Sequence, residues 1–185
     1  MIKFENVVKR FGRRTVLDDI SFEVVKGEVF VIVGPSGTGK SVALKHMVRL
    51  LSPTSGTVWL NDVAVSRADG LELQQAREQF GYLFQGGALL GWMTVAENVA
   101  LPLEEKTAMS QEEIARRVAE VLEMVGLEDD GDKLPSEISG GMQKRAGLAR
   151  AIVCNPDIVL YDEPTSGLDP VTSRTIDRLI KHLNT

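Results

Sequence analysis

The chain holds one cysteine, two histidines and few aromatic side chains among its 185 residues. A single cysteine cannot close an internal disulfide, so nothing in the fold calls for an oxidising compartment. Cys154 lies beside Ile152 and Val153 and reads as a core residue rather than a nucleophile. His46 and His182 have no cysteine or histidine partner at metal spacing, so no transition-metal site is expected. No apolar run is long enough to span a bilayer, and the first six residues lack the apolar stretch of a signal peptide. Basic charge is also short. Lys+Arg total 21 against 26 Asp+Glu, a net charge of −5, which is a poor starting point for binding nucleic acid. With 43% hydrophobic and 25% charged residues, the composition suits one soluble, cytoplasmic globular domain, any membrane role coming through a partner.

Glycine is plentiful, and its placement carries the main signal. Gly34-Pro35-Ser36-Gly37-Thr38-Gly39-Lys40-Ser41 reads G-x-x-x-x-G-K-S, the phosphate-binding loop. The apolar, β-branched run Glu28-Val29-Phe30-Val31-Ile32-Val33 before it predicts a buried strand, and the residues from Val42 to Leu51 predict a helix. Strand, glycine turn and helix are the context the motif requires. Glycines let backbone N–H groups turn inward toward phosphate oxygens, and the helix presents its positive end to the same anion. Lys40 supplies a mobile charge for the β- and γ-phosphates, and the Ser41 hydroxyl is suited to Mg²⁺.

The segments around this loop alternate in character. Residues 2–9 and 15–25 predict a hairpin, with Phe11 in the turn between them. Composition leaves open whether Phe11 is a core residue or an exposed ring on which a base stacks. Val58, Leu60 and Val63 suggest a strand near a sheet edge, with Trp59 packing on the sheet, residues 71–79 a short helix, and residues 80–84 a further strand ended by Gln85. The apolar, glycine-broken stretch 86–93 reads as a docking patch, the alternative being a loop folded on its own core. Val95 to Leu101 is expected to be a helix stopped by Pro102. Ser110 and Glu113 have capping-box spacing and open a helix with Ile114, Val118, Val121, Leu122 and Val125 on one face. Gly126 is a plausible stop for it, and residues 128–133 read as a solvated, charged loop. A helix from about Gly140 to Cys154 ends at Asn155-Pro156, and a last one runs from Val171 to Leu183, with Pro170 at its start.

A second nucleotide signature follows. Ile158-Val159-Leu160-Tyr161 ends in Asp162-Glu163. A carboxylate at such a strand end suits Mg²⁺ held through water, and Glu163 next to it is placed to deprotonate an attacking water.

Together these residues resemble the nucleotide-binding subunit of an ABC transporter over essentially the whole chain. Gly34 to Ser41 match the Walker A loop, and Ile158 to Asp162 match Walker B, with Glu163 at the family's catalytic glutamate. Gln85 falls at the Q-loop, and Ser166-Gly167-Leu168-Asp169 matches the D-loop. Ser139-Gly140-Gly141-Met142 matches the signature, here ISGGM where LSGGQ is commonest. The resemblance implies an α/β P-loop NTPase core sheet, with an N-terminal antiparallel β subdomain and an inserted helical subdomain. Residues 1–85 and 156–185 would form the core with the β subdomain, and residues 86–155 the insertion. ATP would be held by Phe11, stacked on adenine, by Gly34 through Val42 and by Asp169, with Ser139, Gly140 and Gly141 approaching from an opposed second copy. Mg²⁺ would be held by Ser41, Gln85 and Asp162, and hydrolysis would rest on Lys40, Gln85 and Glu163.

The resemblance further implies a homodimer around two ATP molecules, membrane permease subunits docked at residues 85–93, and a place at the inner face of the cell membrane. Within the family, residues 84–89, 95–103 and 139–145 resemble the ATPases of Mla-type phospholipid transporters. Other importers, such as those for amino acids, share much of these pieces. An ABC ATPase without a permease, a nucleotide-binding module without turnover and a small kinase are the rivals. The family's next strand and its γ-phosphate histidine do not occur before Thr185, and His182 sits on a helix, where it is expected to face solvent. The chain is thus expected to be truncated, to bind nucleotide, to hydrolyse it poorly and to dimerise weakly.

Overall fold

A computed structural model describes residues 1–183, and the side chain of His182 lies outside the described residues. The chain divides into two compact units, Met1–Gln79 and the remainder from Phe80.

In the first unit, β1 (Ile2–Phe11) and β2 (Arg14–Val24) form the expected hairpin. β3 (Ser55–Leu60) pairs antiparallel with the other edge of β1, so the order is β2-β1-β3. A register shift between Phe4 and Val7 changes the alternation, so the buried set runs Ile2, Phe4, Val7 and not every second residue. Phe22 stacks on Phe4 with ring centroids 4.4 Å apart, and Phe30 stacks on Phe22 at 5.0 Å. Phe11 closes β1 opposite Arg14 and is not a turn residue. Gly12, at φ +57°, and Arg13 suffice to reverse the chain. Trp59 is half-buried on the sheet and donates its indole N–H to Glu5 at 2.7 Å. The helix after the glycine loop, α1, spans Lys40–Met47, shorter than expected, and α2 spans Gly70–Glu78.

The expected strand at residues 28–33 does not form. Val29, Phe30, Val31 and Val33 are exposed, Val33 by 84%. A parallel strand exists by virtue of its neighbours, which take its N–H and C=O groups and cover its faces. Among the described residues no strand pairs with this run, so its β propensity goes unused.

In the second unit, β4 (Phe80–Leu83) and β5 (Ile158–Tyr161) pair in parallel, Phe80 opposite Ile158 and Leu83 opposite Tyr161. Between them in sequence lie α3 (Val95–Lys106), α4 (Gln111–Met124) and α5 (Gly140–Ile152). A final helix, α6, spans Pro170–Leu183. Capping boxes open α3 at Thr94 with Glu97 and α4 at Ser110 with Glu113. Their apolar stripes meet in one core: Val95, Val99 and Leu103 of α3, Ile114, Val118, Val121 and Leu122 of α4, and Ala146, Leu148, Ala149 and Ile152 of α5. Cys154 packs against it, half-buried, and burial pushes its thiol pKa up. Pro102 does not stop α3, which runs on to Lys106. Proline inside a helix costs about 3 kcal/mol. Burial of Leu103 just beyond it recovers an amount of the same order, about 1.5–3 kcal/mol. Residues 128–133 also do more than face solvent. The carbonyls of Gly131 and Lys133 accept the first N–H groups of α3, from Ala96 and Val95, at 2.8 Å. Among the described residues no helix is long and apolar enough to cross a membrane.

Helix α5 is the most enclosed helix of this unit, with eight buried residues. It lies against β4 at backbone distance, and a Cβ placed on Gly81 would stand 2.1 Å from the carbonyl oxygen of Ala151. Gly81→Ala is therefore expected to cost roughly 3 kcal/mol and lower the melting temperature by several degrees. A thermal scan of the variant checks this, and an unchanged midpoint would mean that α5 and β4 are not in such close contact.

Candidate active site

The candidate residues fall into one group in each unit. In the first, the glycine loop turns through Gly34 (φ +159°), Gly37 (φ +79°) and Gly39 (φ +103°) directly into α1. Gly39 is required twice over. Its φ is left-handed, and a Cβ there would stand 2.9 Å from Val16 and 3.0 Å from Leu17, both on β2. The loop is therefore seated on the hairpin. It is braced within itself by Thr38, whose hydroxyl donates to the Pro35 carbonyl at 2.9 Å. Lys40 curls over the loop and donates to the carbonyls of Gly34 and Pro35, both at 3.0 Å. Gly39 gives α1 no side-chain cap, so the first turn, Lys40, Ser41 and Val42, opens toward the loop without one.

Arg14, not foreseen from the sequence, donates from β2 to the Gly37 carbonyl at 3.3 Å and joins the hairpin tip to the loop. Phe11, at the same tip, is 47% exposed, with the Lys9 ammonium 5.0 Å above its ring. The structure thus places an exposed aromatic face, a cation and the glycine loop in one unit. The cradle fits a triphosphate chemically, because glycine turns, an uncapped helix start and a flexible ammonium are the parts that hold one.

In the second unit, the geometry follows from parallel pairing. β4 and β5 end side by side, so the residues just beyond them meet. The Gln85 amide donates to the Glu163 carboxylate at 3.2 Å. Asp162 is buried, its N–H bonds the Leu83 carbonyl at 2.9 Å, and its carboxylate faces the Tyr82 hydroxyl at 3.4 Å. Burial, then the Asp162 charge, pushes the Tyr82 phenol pKa well up, so Tyr82 stays a donor to Asp162. Asp162 and Gln85 supply oxygen donors of the kind Mg²⁺ takes, and a single carboxylate suffices where phosphate and water complete the shell. Glu163 sits at φ +50°, a left-handed conformation that costs a residue other than glycine roughly 1–3 kcal/mol.

The signature residues open α5. Ser139 is its N-cap and accepts from the Met142 N–H at 3.3 Å. Gly140 borders open space, whereas a Cβ on Gly141 would collide with Thr172 at 2.5 Å. Asp169 caps α6, its carboxylate accepting from the N–H groups of Val171 and Thr172 and from the Thr172 hydroxyl. Those bonds hold its pKa below the usual carboxylate range. In this structure the Asp169 carboxylate thus serves α6.

The loop after Gln85 is held from beneath. Asn98, fully buried on α3, donates to the carbonyls of Leu90, Met93 and Thr94 and accepts from the Leu90 N–H. Arg150 of α5 donates to the carbonyls of Gly87 and Ala88 at 2.8 and 2.9 Å. Leu89 packs on the core, Leu90 is half-buried, and Trp92 is 78% exposed. The expected apolar patch therefore reduces chiefly to Trp92. Asn98 carried a readable sign, a lone amide on the apolar face of Val95, Val99 and Leu103. Lys144, buried beneath the loop after Glu163, carried none.

This arrangement has a known counterpart. A family model described as ABC transporter matches residues 17–166, and the chain belongs to that family. It is 46% identical over 183 residues to the probable ribonucleotide transport ATP-binding protein mkl of Mycobacterium leprae, covering 99% of this chain and 53% of that protein. It is 47% identical over 175 residues to the methionine import ATP-binding protein MetN of Carboxydothermus hydrogenoformans, covering 94% and 52%. The chain spans about half the length of these curated relatives. Among solved structures, the ATP-binding cassette MJ0796, a dimer in a post-hydrolysis state bound to ADP and Pi, superposes with a TM-score of 0.91 at 38% identity, covering 100% of this chain and 83% of that one.

Lys40→Ala removes the loop's own ammonium and leaves the hairpin untouched. It is expected to weaken ATP binding at least tenfold while the melting temperature stays within a few degrees of the parent, as read by titration with a fluorescent ATP analogue and a thermal scan. Unchanged affinity would remove Lys40 from the phosphate site.

Proposed function

We propose that this chain is the ATP-binding and hydrolysing part of an ABC transporter. The observation that carries the reading is the glycine loop seated on the hairpin, with Lys40 folded over it and Phe11 exposed beside it. In this reading Lys40 and the start of α1 hold the triphosphate, Phe11 stacks on the base, and Ser41, Asp162 and Gln85 hold Mg²⁺, which draws charge from the phosphates when bound. Glu163 accepts the proton of the attacking water, and Gln85 keeps its carboxylate oriented. The open N-terminal side of α5, at Ser139 and Gly140, faces the nucleotide of a second copy, so that two chains close around two ATP molecules. The dimeric state of MJ0796 supports that arrangement.

A permease docks at the loop after Gln85, through Trp92, which places the protein peripherally at the inner face of the membrane. The support is an exposed indole on a loop pinned by Asn98 and Arg150. The finer reading of the cargo as phospholipid rests on the three segments that resemble Mla-type ATPases. The relatives reported above are named for ribonucleotide and methionine transport instead.

Glu163→Gln tests the chemistry. The change keeps the side-chain shape and removes the base, so ATP affinity is expected to stay within about threefold while phosphate release falls at least a hundredfold. Release at the parental rate would exclude Glu163 as the base. Trp92→Ser tests the docking: permease co-purification should fall while nucleotide affinity and melting temperature hold. Equal recovery of permease would place the interface elsewhere.

A further inference from the structure

We infer that Lys144 is a positioning residue for hydrolysis, holding the loop that begins at Glu163 in its active shape from the first turns of the signature helix. This rests on the reading of Glu163 as the base and adds a residue that the motifs do not name. Lys144 lies on α5, one turn past Ser139-Gly140-Gly141, and is only 5% exposed. Its ammonium donates to the Ser166 carbonyl, and lies 3.4 Å from the Ser166 hydroxyl and 3.5 Å from the Glu163 carbonyl. A buried lysine has to be satisfied by such acceptors, and here all of them come from the one loop that carries Glu163. Burial lowers its pKa and the Glu163 charge opposes that shift, so the two groups sense each other.

The loop needs such a hold. Glu163 is left-handed at φ +50°, Gly167 at φ +72°, and within the turn the Ser166 N–H bonds the Glu163 carbonyl at 3.1 Å and the Leu168 N–H bonds the Thr165 carbonyl at 3.3 Å. A conformation of this kind persists where its surroundings over-determine it. Lys144 gathers the two carbonyls on one cation, while Gly141 lets α5 approach Thr172 of α6, which is bonded to Asp169 at the loop's far end. The start of α5 is thereby tied to both ends of the Glu163–Asp169 loop. Any shift of the signature helix would be passed through Lys144 to the carboxylate.

Two variants test this. Lys144→Met keeps the buried stem and removes all three donors, and Lys144→Gln keeps an amide donor. The turnover number is expected to fall roughly ten- to a hundredfold in Lys144→Met and less in Lys144→Gln, with KM for ATP within about twofold in both. Amide hydrogen exchange in residues 163–168 should speed up in the same order, and that readout stands even if the parent binds ATP without turning it over. Parental turnover with parental exchange in Lys144→Met would overturn the inference. So would a KM that rises as the turnover number falls, or unfolding of both variants, since either would assign Lys144 to the ATP pocket or to the fold and not to the setting of Glu163.

Discussion

The second unit depends on how closely helix α5 can approach its neighbours. Gly81 lets β4 lie against the backbone of Ala151, and Gly87 lets the loop after Gln85 lie against Gln143. Gly147 meets that same loop from the helix side. At these distances no side chain intervenes, so helix, strand end and loop have little room to move independently. Eight buried residues on α5 then tie this contact to the core shared with α3 and α4. The polar groups that result are few and fully used. Arg150 and Asn98 serve the carbonyls of the loop after Gln85, and Lys144 serves those after Glu163. Burial makes each of these groups costly to leave unpaired, which is why each fixes the piece of backbone it touches.

The first unit solves a different problem. A phosphate cradle has to be rigid in its backbone and mobile in its cation. Gly39 pressed on Val16 and Leu17, with Arg14 on the Gly37 carbonyl, gives the rigidity. In the proposed reading Lys40 gives the mobility, because its bonds to the Gly34 and Pro35 carbonyls are exposed and can be exchanged for phosphate oxygens. Phe11 is presented on a strand end and not on a turn, which sets its ring by the register of the hairpin opposite Arg14.

Much of this was legible in the residues. The loop Gly34–Ser41, the acids Asp162 and Glu163, Gln85 and the capping box at Ser110 are local patterns, and local patterns survive folding. Helix α4 and the edge strand β3 were legible for the same reason. The misreadings share a cause, which is that a partner distant in sequence decided the outcome. Residues 28–33 have every local mark of a strand and form none, because pairing is supplied by other strands. Pro102 has the local mark of a helix end and is overridden by the burial of Leu103. Lys144 and Arg14 look like ordinary surface charges until the loops they serve are in place. The apolar stretch 86–93 read as one patch, yet folding turns Leu89 inward and leaves Trp92 out.

The central claim is that the glycine loop and α1 form a receptor for the phosphates of ATP, with the base a lesser contributor. Equilibrium titration of the protein with a fluorescent ATP analogue in Mg²⁺, followed by competition with ATP and with adenosine, tests it most directly. One saturable site per chain is expected, cleared by ATP and barely touched by adenosine. Absence of saturable binding, or displacement by adenosine as effective as by ATP, would contradict it.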